Sequence, residues 1–154
     1  MALVSSKEIL MKAQQEGYAV GAFNAENMEM VQAIVAAAEE LSSPVIIQTT
    51  PGSLQYADTD MFFGMVNAEA KKAKVPVALH LDHGNRAELC AKAILSGYTS
   101  IMIDGSKLAF SENVALTKKV VEFAHAMGVP VEGELGTVGG KEDTHEVKDS
   151  EKSY

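Results

Sequence analysis

The chain has 154 residues, of which 47% are hydrophobic and 22% charged, and its formal net charge is -8. That balance describes one globular domain over residues 1–154 with a core of its own, and it excludes a fibre or a disordered chain. The acidity argues against nucleic acid and anionic membranes as partners, and no stretch reaches the ~20 consecutive apolar residues that cross a bilayer.

The single cysteine, Cys90, cannot form an internal disulfide. The opening "MALVSSKEIL" lacks the basic end and apolar run of a secretory leader, so the expected compartment is the cytoplasm.

In chain order, "SSKE" at Ser5 to Glu8 has the spacing of a capping box, and the helix it opens ends at Gly17. "YAVGAFNA" reads as a strand. Met28, Val31, Val35 and Ala38 recur at helical spacing. "PVIIQTT" is a buried strand, and a helix is expected from about Asp58 to Ala73. "VPVALHLDHG" is the third strand, followed by a helix capped by Asn85 with Ala87, Cys90 and Ile94 facing inward. "YTSIMIDGS" is the fourth strand. Ser111 opens a helix whose Leu116, Val120, Phe123 and Met127 line one face, and "VPVEGELG" is the fifth strand. Met28, Met61 and Met65 read as core packing.

Apolar strands separated by amphipathic helices mean a parallel sheet covered by helices, an α/β protein. No "GxGxxG" follows the first strand, so a dinucleotide-binding open sheet has no support. Asn24, Thr50, Asp82 with His83, Asp104 and Glu134 all fall at or just past strand C-terminal ends. A polar group after every strand favours a (β/α)8 barrel, whose active site lies on that edge. A complete barrel takes ~250 residues, so five strands are its first part. The closing stretch "KEDTHEVKDSEKSY" is polar and aperiodic, as in an exposed loop, with no sixth strand expected.

"HLDHG" raises a choice. In an ideal strand His80 and Asp82 share one face, and His83 lies on the other with Leu79 and Leu81. Asp82 and His83 converge only if the strand ends there. They then form either a metal-assisted catalytic edge or the polar caps of a sheet. His80, deeper in the strand, reads as a hydrogen-bonded core histidine, and His125 and His145 as solvated. Glu132 and Glu134 share a face of the fifth strand. Gly136, Gly139 and Gly140 make a loop able to close over a substrate and deliver Glu142 or Asp143.

"YAVGAFNAENME", "SPVIIQTTPG", "VPVALHLDHG", "GYTSIMIDGS", "SENVALTKKVVEFAH" and "VEGELGTVGGKED" together resemble the successive signatures of class II, metal-dependent ketose-bisphosphate aldolases, from about Val4 to Asp143. The resemblance implies cleavage of fructose or tagatose 1,6-bisphosphate to dihydroxyacetone phosphate and glyceraldehyde 3-phosphate, assisted by Zn²⁺. By motif match, His83 is a zinc ligand, and Asp104 and Glu134 are carboxylates near the metal. Asp82 exchanges a proton with the aldehyde oxygen, and Glu142 is the base acting on dihydroxyacetone phosphate. Asn24 binds substrate, and Thr50 lies near a phosphate.

The family's other two zinc histidines and a glycine-rich phosphate segment have no counterpart in the sequence. Relatives are commonly dimers or tetramers, so a homo-oligomer is expected. The alternative is an inactive fragment, or a binding or assembly module on the same barrel. A metal-dependent hydrolase of this fold predicts no loop like "GTVGGKED".

Overall fold

The computed structural model describes residues 3–136 with their side chains, and the backbone of 140–142 and 145–147. Five parallel strands form one sheet: β1 (Gly21–Asn24), β2 (Val45–Thr49), β3 (Val77–Gly84), β4 (Ser100–Ile103) and β5 (Val131–Gly133). Their spatial order is their chain order, β1-β2-β3-β4-β5. A doubly wound open sheet reverses direction at a switch point, whereas a barrel adds each strand on the same side of the last, as here.

Both faces of the middle strands are buried, which is why they are apolar almost throughout. On the outer face, Val31 and Val35 of α2 (Met28–Glu40) pack with Phe62 and Val66 of α4 (Thr59–Lys72). Cys90 and Ala93 of α5 (Ala87–Ser96) and Val120 of α6 (Phe110–Ala126) complete that layer against Ile47, Leu79, Leu81 and Ile101. On the inner face a smaller cluster forms from Ile46, Ala78 and Ile9. Ile9 belongs to α1 (Ser6–Glu16), which seals the end of the sheet opposite the polar edge. The Val4 N–H donates to the Val77 carbonyl at 2.9 Å and ties the start of the chain to β3.

The helix ends follow local chemistry. Ser5 caps α1 by accepting from the Lys7 N–H, and Gly17 closes it with φ 76°, a left-handed angle that glycine adopts without penalty. A four-residue turn of helix, α3 (Ser53–Tyr56), sits in the connection after β2.

Several expectations are corrected. Met28 and Met61 lie in the first turns of α2 and α4 and are exposed, Met28 because the buried stripe begins only at Val31 and Met61 because it lies off the stripe of Thr59, Phe62 and Val66. Met127 is exposed at the C-cap of α6, while Met65, Leu116 and Phe123 pack against the core. Asn85 is not the cap of α5, which starts one residue later with Arg86 in the extended N-cap position. The helix expected from Ser111 opens at Phe110; Ala109 cannot cap with a methyl group, and Glu112 accepts its N–H instead. The stretch expected to be an aperiodic loop contains an antiparallel ribbon, β6 (Gly140–Glu142) and β7 (His145–Val147). Its sequence hides it because it carries no alternation of apolar and polar residues from which a strand would be read.

Candidate metal centre and active site

The strand–loop junctions after β3, β4 and β5 bring three side chains together. His83 Nδ1 lies 3.1 Å from Asp104 Oδ2 and 3.5 Å from Glu134 Oε2. One potential ligand atom from each of the three residues falls within 4.8 Å of the others.

A regular strand would send His83 outward among the leucines. Two features prevent this. His83 has φ 48°, a left-handed angle uncommon outside glycine, and three steps of β3 from Leu81 to Gly84 oppose two steps of β4 from Ile101 to Ile103. This is a β-bulge, and it turns the imidazole towards the polar edge. Gly84 is required just after it: an added Cβ would collide with the Met102 carbonyl oxygen and press on Cys90 Sγ at 3.0 Å.

Asp104 is held from both sides. Oδ2 meets His83, and Oδ1 accepts the Ser106 N–H at 2.9 Å. The His83 contact first, and then the Ser106 donor, hold its carboxyl well below the usual carboxylate range. The carboxylate is therefore charged at neutral pH, the state in which it attracts a cation.

Glu134 is placed through its backbone, since the buried Asn113 of α6 donates from Nδ2 to the Glu134 carbonyl at 2.7 Å. Asn113 Oδ1 in turn accepts from Thr117 Oγ1 at 3.3 Å. Asn113 was missed by sequence reasoning; its only signal there was a polar residue on the inner side of an amphipathic helix.

Asp82 joins the cluster, with Oδ1 4.0 Å from His83 Nε2. Glu132 stands on the adjoining part of the same face. Its carboxyl is pushed up, chiefly by partial desolvation at this half-open edge and then by the Asp82 charge. His80 is the buried core histidine expected, with Nδ1 2.7 Å from Ser100 Oγ.

The remaining candidates are more scattered. Asn24 is exposed at the end of β1, and Thr50 is buried just after β2; β3 lies between those strands and the Asp104 and Glu134 strands. Thr50 is fixed in a turn, its Oγ1 3.2 Å from Ser53 Oγ, while the Ser53 hydroxyl donates to Glu26 Oε1 at 2.9 Å. Glu142 ends β6 with its backbone paired to His145. In the loop expected to be mobile, Gly136 has φ 73° and Gly140 opens β6. Gly139 and Asp143 lie outside the described residues.

One imidazole and two carboxylates are a donor set suited to a borderline or hard divalent ion. A neighbouring carboxylate, Asp82, can carry protons beside such an ion.

Comparison with known proteins bears on this arrangement. The family model described as fructose-bisphosphate aldolase class-II matches residues 4–154. A fructose-bisphosphate aldolase from Helicobacter pylori is 51% identical over 150 residues, covering 97% of this chain and 49% of the relative. One from Staphylococcus aureus is 49% identical over 148 residues, covering 93% of this chain and 51% of the relative. The crystal structure of the YdjI aldolase from Escherichia coli K12 superposes with a TM-score of 0.83 at 40% identity, over 92% of this chain and 54% of that one. The chain therefore spans about half the length of the curated relatives it matches. Among the described residues, no helix is long and apolar enough to cross a membrane.

Proposed function

The chain belongs to the class II fructose-bisphosphate aldolase family, and from that premise we propose that it supplies the metal-binding and proton-transfer edge of an enzyme that reversibly cleaves a ketose 1,6-bisphosphate. The products are dihydroxyacetone phosphate and glyceraldehyde 3-phosphate. The observation that carries this reading is the convergence of His83, Asp104 and Glu134 at the C-terminal ends of adjacent parallel strands, with Asp82 beside them.

His83, Asp104 and Glu134 would hold Zn²⁺, whose nitrogen and oxygen ligand preferences this set meets. Bound there, the ion would act as a Lewis acid towards the ketone oxygen of the substrate. Asp82 takes the proton from the hydroxyl on the carbon that becomes the aldehyde, as the adjacent carbon–carbon bond breaks. Glu142 returns a proton to the dihydroxyacetone phosphate carbon left behind, and in the synthetic direction removes it. Asn24 hydrogen-bonds the substrate near its ketone, and Thr50 steadies a phosphate.

Phe23 on β1 and Leu135 just past β5 are exposed at the two edges of the sheet. They fit seams at which further strands of the barrel join, since open apolar edges otherwise invite association. Catalysis by a homo-oligomer in the cytoplasm belongs to the same reading, supported by the buried free thiol of Cys90, which suits a reducing compartment.

The test is an aldol-cleavage assay on the protein that carries this chain, with fructose and tagatose 1,6-bisphosphate, before and after exhaustive chelation. Cleavage that chelation abolishes and Zn²⁺ restores is expected. Activity that survives chelation overturns the metal assignment, and no cleavage of either sugar overturns the reaction.

A further inference from the structure

Below the proposed metal ligands, on the inner face shared with Asp82, three buried polar side chains meet. Ser6, Ser100 and His80 are all at most 5% exposed. The Ser6 hydroxyl donates to Ser100 Oγ at 2.8 Å, and Ser100 Oγ lies 2.7 Å from His80 Nδ1. On the other side of the ring, His80 Nε2 lies 3.6 Å from Glu132 Oε2.

The order of donors in this column decides the state of the ring. Ser100 Oγ already accepts from Ser6, so its own hydrogen is available for the Nδ1 lone pair. Burial, and then the neighbouring His83, push the His80 imidazole down to about 4, so it carries a single ring proton at neutral pH. With Nδ1 accepting, that proton sits on Nε2 and faces the Glu132 carboxylate. The opposite tautomer would set a nitrogen lone pair against carboxylate oxygens, an unfavourable contact, and leave the Ser100 hydrogen unused.

We propose that His80 is a positioning residue: the Ser6–Ser100 pair fixes it as the Nε2–H tautomer, and that N–H holds the Glu132 carboxylate beside Asp82. At 3.6 Å the contact is a charge–dipole one rather than a hydrogen bond, and the Glu132 side chain is 63% exposed. Two neighbouring carboxylates repel, and without this donor Glu132 turns away from Asp82. The consequence for proton transfer by Asp82 rests on the aldolase reading above; the tautomer and the carboxylate placement do not.

The experiment separates the two. In the ¹⁵N-labelled chain, His80 is expected to show a protonated Nε2 and an unprotonated Nδ1, and Ser100→Ala to give a mixture of tautomers. A wild-type ring protonated on Nδ1, or a Ser100→Ala ring unchanged, overturns the proposal. With ¹³C-labelled carboxylates, the Asp82 and Glu132 signals are expected to shift in His80→Leu and to stay in place in His80→Gln, which keeps an N–H donor. Equal shifts in both variants overturn it. Where cleavage is measurable, His80→Leu lowers kcat by about tenfold with KM nearly unchanged, and His80→Gln recovers most of it. Failure of the wild type to cleave the sugar bisphosphates overturns the aldolase reading alone, because the spectroscopic result still decides the tautomer.

Discussion

His83 Nδ1 sits 3.1 Å from Asp104 Oδ2, and this contact exists because β3 carries one residue more than β4 can pair. The bulge converts a side chain bound for the helix layer into one at the polar edge. It depends on Gly84, whose missing Cβ lets the Met102 carbonyl and Cys90 Sγ close in. Gly84→Ala is therefore expected to destabilise the fold by about 1–3 kcal/mol, the usual cost of overpacking. It should also weaken Zn²⁺ binding by displacing His83. Urea unfolding and a chelator-competition titration measure the two effects; an unchanged midpoint would show that the backbone yields freely.

Removing the ligands tests the cluster directly. Asp104→Asn and Glu134→Gln keep size and remove charge, so each is expected to lower Zn²⁺ affinity by at least about tenfold with little change in fold. Isothermal titration with Zn²⁺ reads the affinity, and circular dichroism checks the fold. Wild-type affinity in both variants would place the ion elsewhere.

Asn113 never touches the ion in this reading, yet it holds the Glu134 backbone through its 2.7 Å bond to the carbonyl. Asn113→Leu leaves that carbonyl without its donor and lets the end of β5 move. A loss of metal affinity of about 10-fold or more is expected, the scale seen when groups that orient ligands are removed. Asn113→Asp, which cannot donate when charged, should behave alike. Wild-type affinity in both would show that α6 does not position Glu134.

The fold was legible because both faces of its strands are buried: "PVIIQTT" and "VPVALHLDHG" announce parallel strands, and polar residues mark their C-terminal ends. The proximity of His83, Asp104 and Glu134 followed from that shared edge. The reason His83 points there did not, because strict alternation places it with Leu81, and only the left-handed φ and the bulge reverse it. Asn113 and Glu132 acquire their roles from partners distant in sequence, Glu134 for the first and His80 and Asp82 of β3 for the second. Exposed methionines such as Met28 were misread because helical spacing gives the direction of a stripe and not where the helix first meets the sheet.

Cys90 provides a probe of the core beneath the β3 bulge. Its thiol is fully buried, and burial pushes it up to about 11 from an ordinary value near 9. Between those values the unfolded chain loses the thiol proton while the folded chain keeps it, so stability falls as pH rises through that window. The loss is on the order of 2 kcal/mol by pH 11. Urea midpoints at pH 8 and pH 10.5 should therefore differ more in the wild type than in Cys90→Ala. At pH 8 the folded thiol should resist alkylation that proceeds readily in urea. Rapid labelling of the native chain would show that α5 opens from the sheet.

The last prediction concerns Asp82, the group assigned to proton transfer. Its Oδ1 lies 4.0 Å from His83 Nε2, at the open end of the sheet and outside the apolar core. Asp82→Ala should therefore leave the unfolding midpoint nearly unchanged while lowering kcat by about 10²–10⁴, the range for a lost general acid or base. Asp82→Asn should be equally impaired, since an amide keeps the shape and cannot exchange the proton. Zn²⁺ affinity in both variants should stay close to that of the wild type, because His83, Asp104 and Glu134 remain in place. Parallel measurement of kcat and metal content separates the outcomes. Turnover lost together with the metal would make Asp82 a ligand, and near-normal turnover with metal bound would remove it from the chemistry.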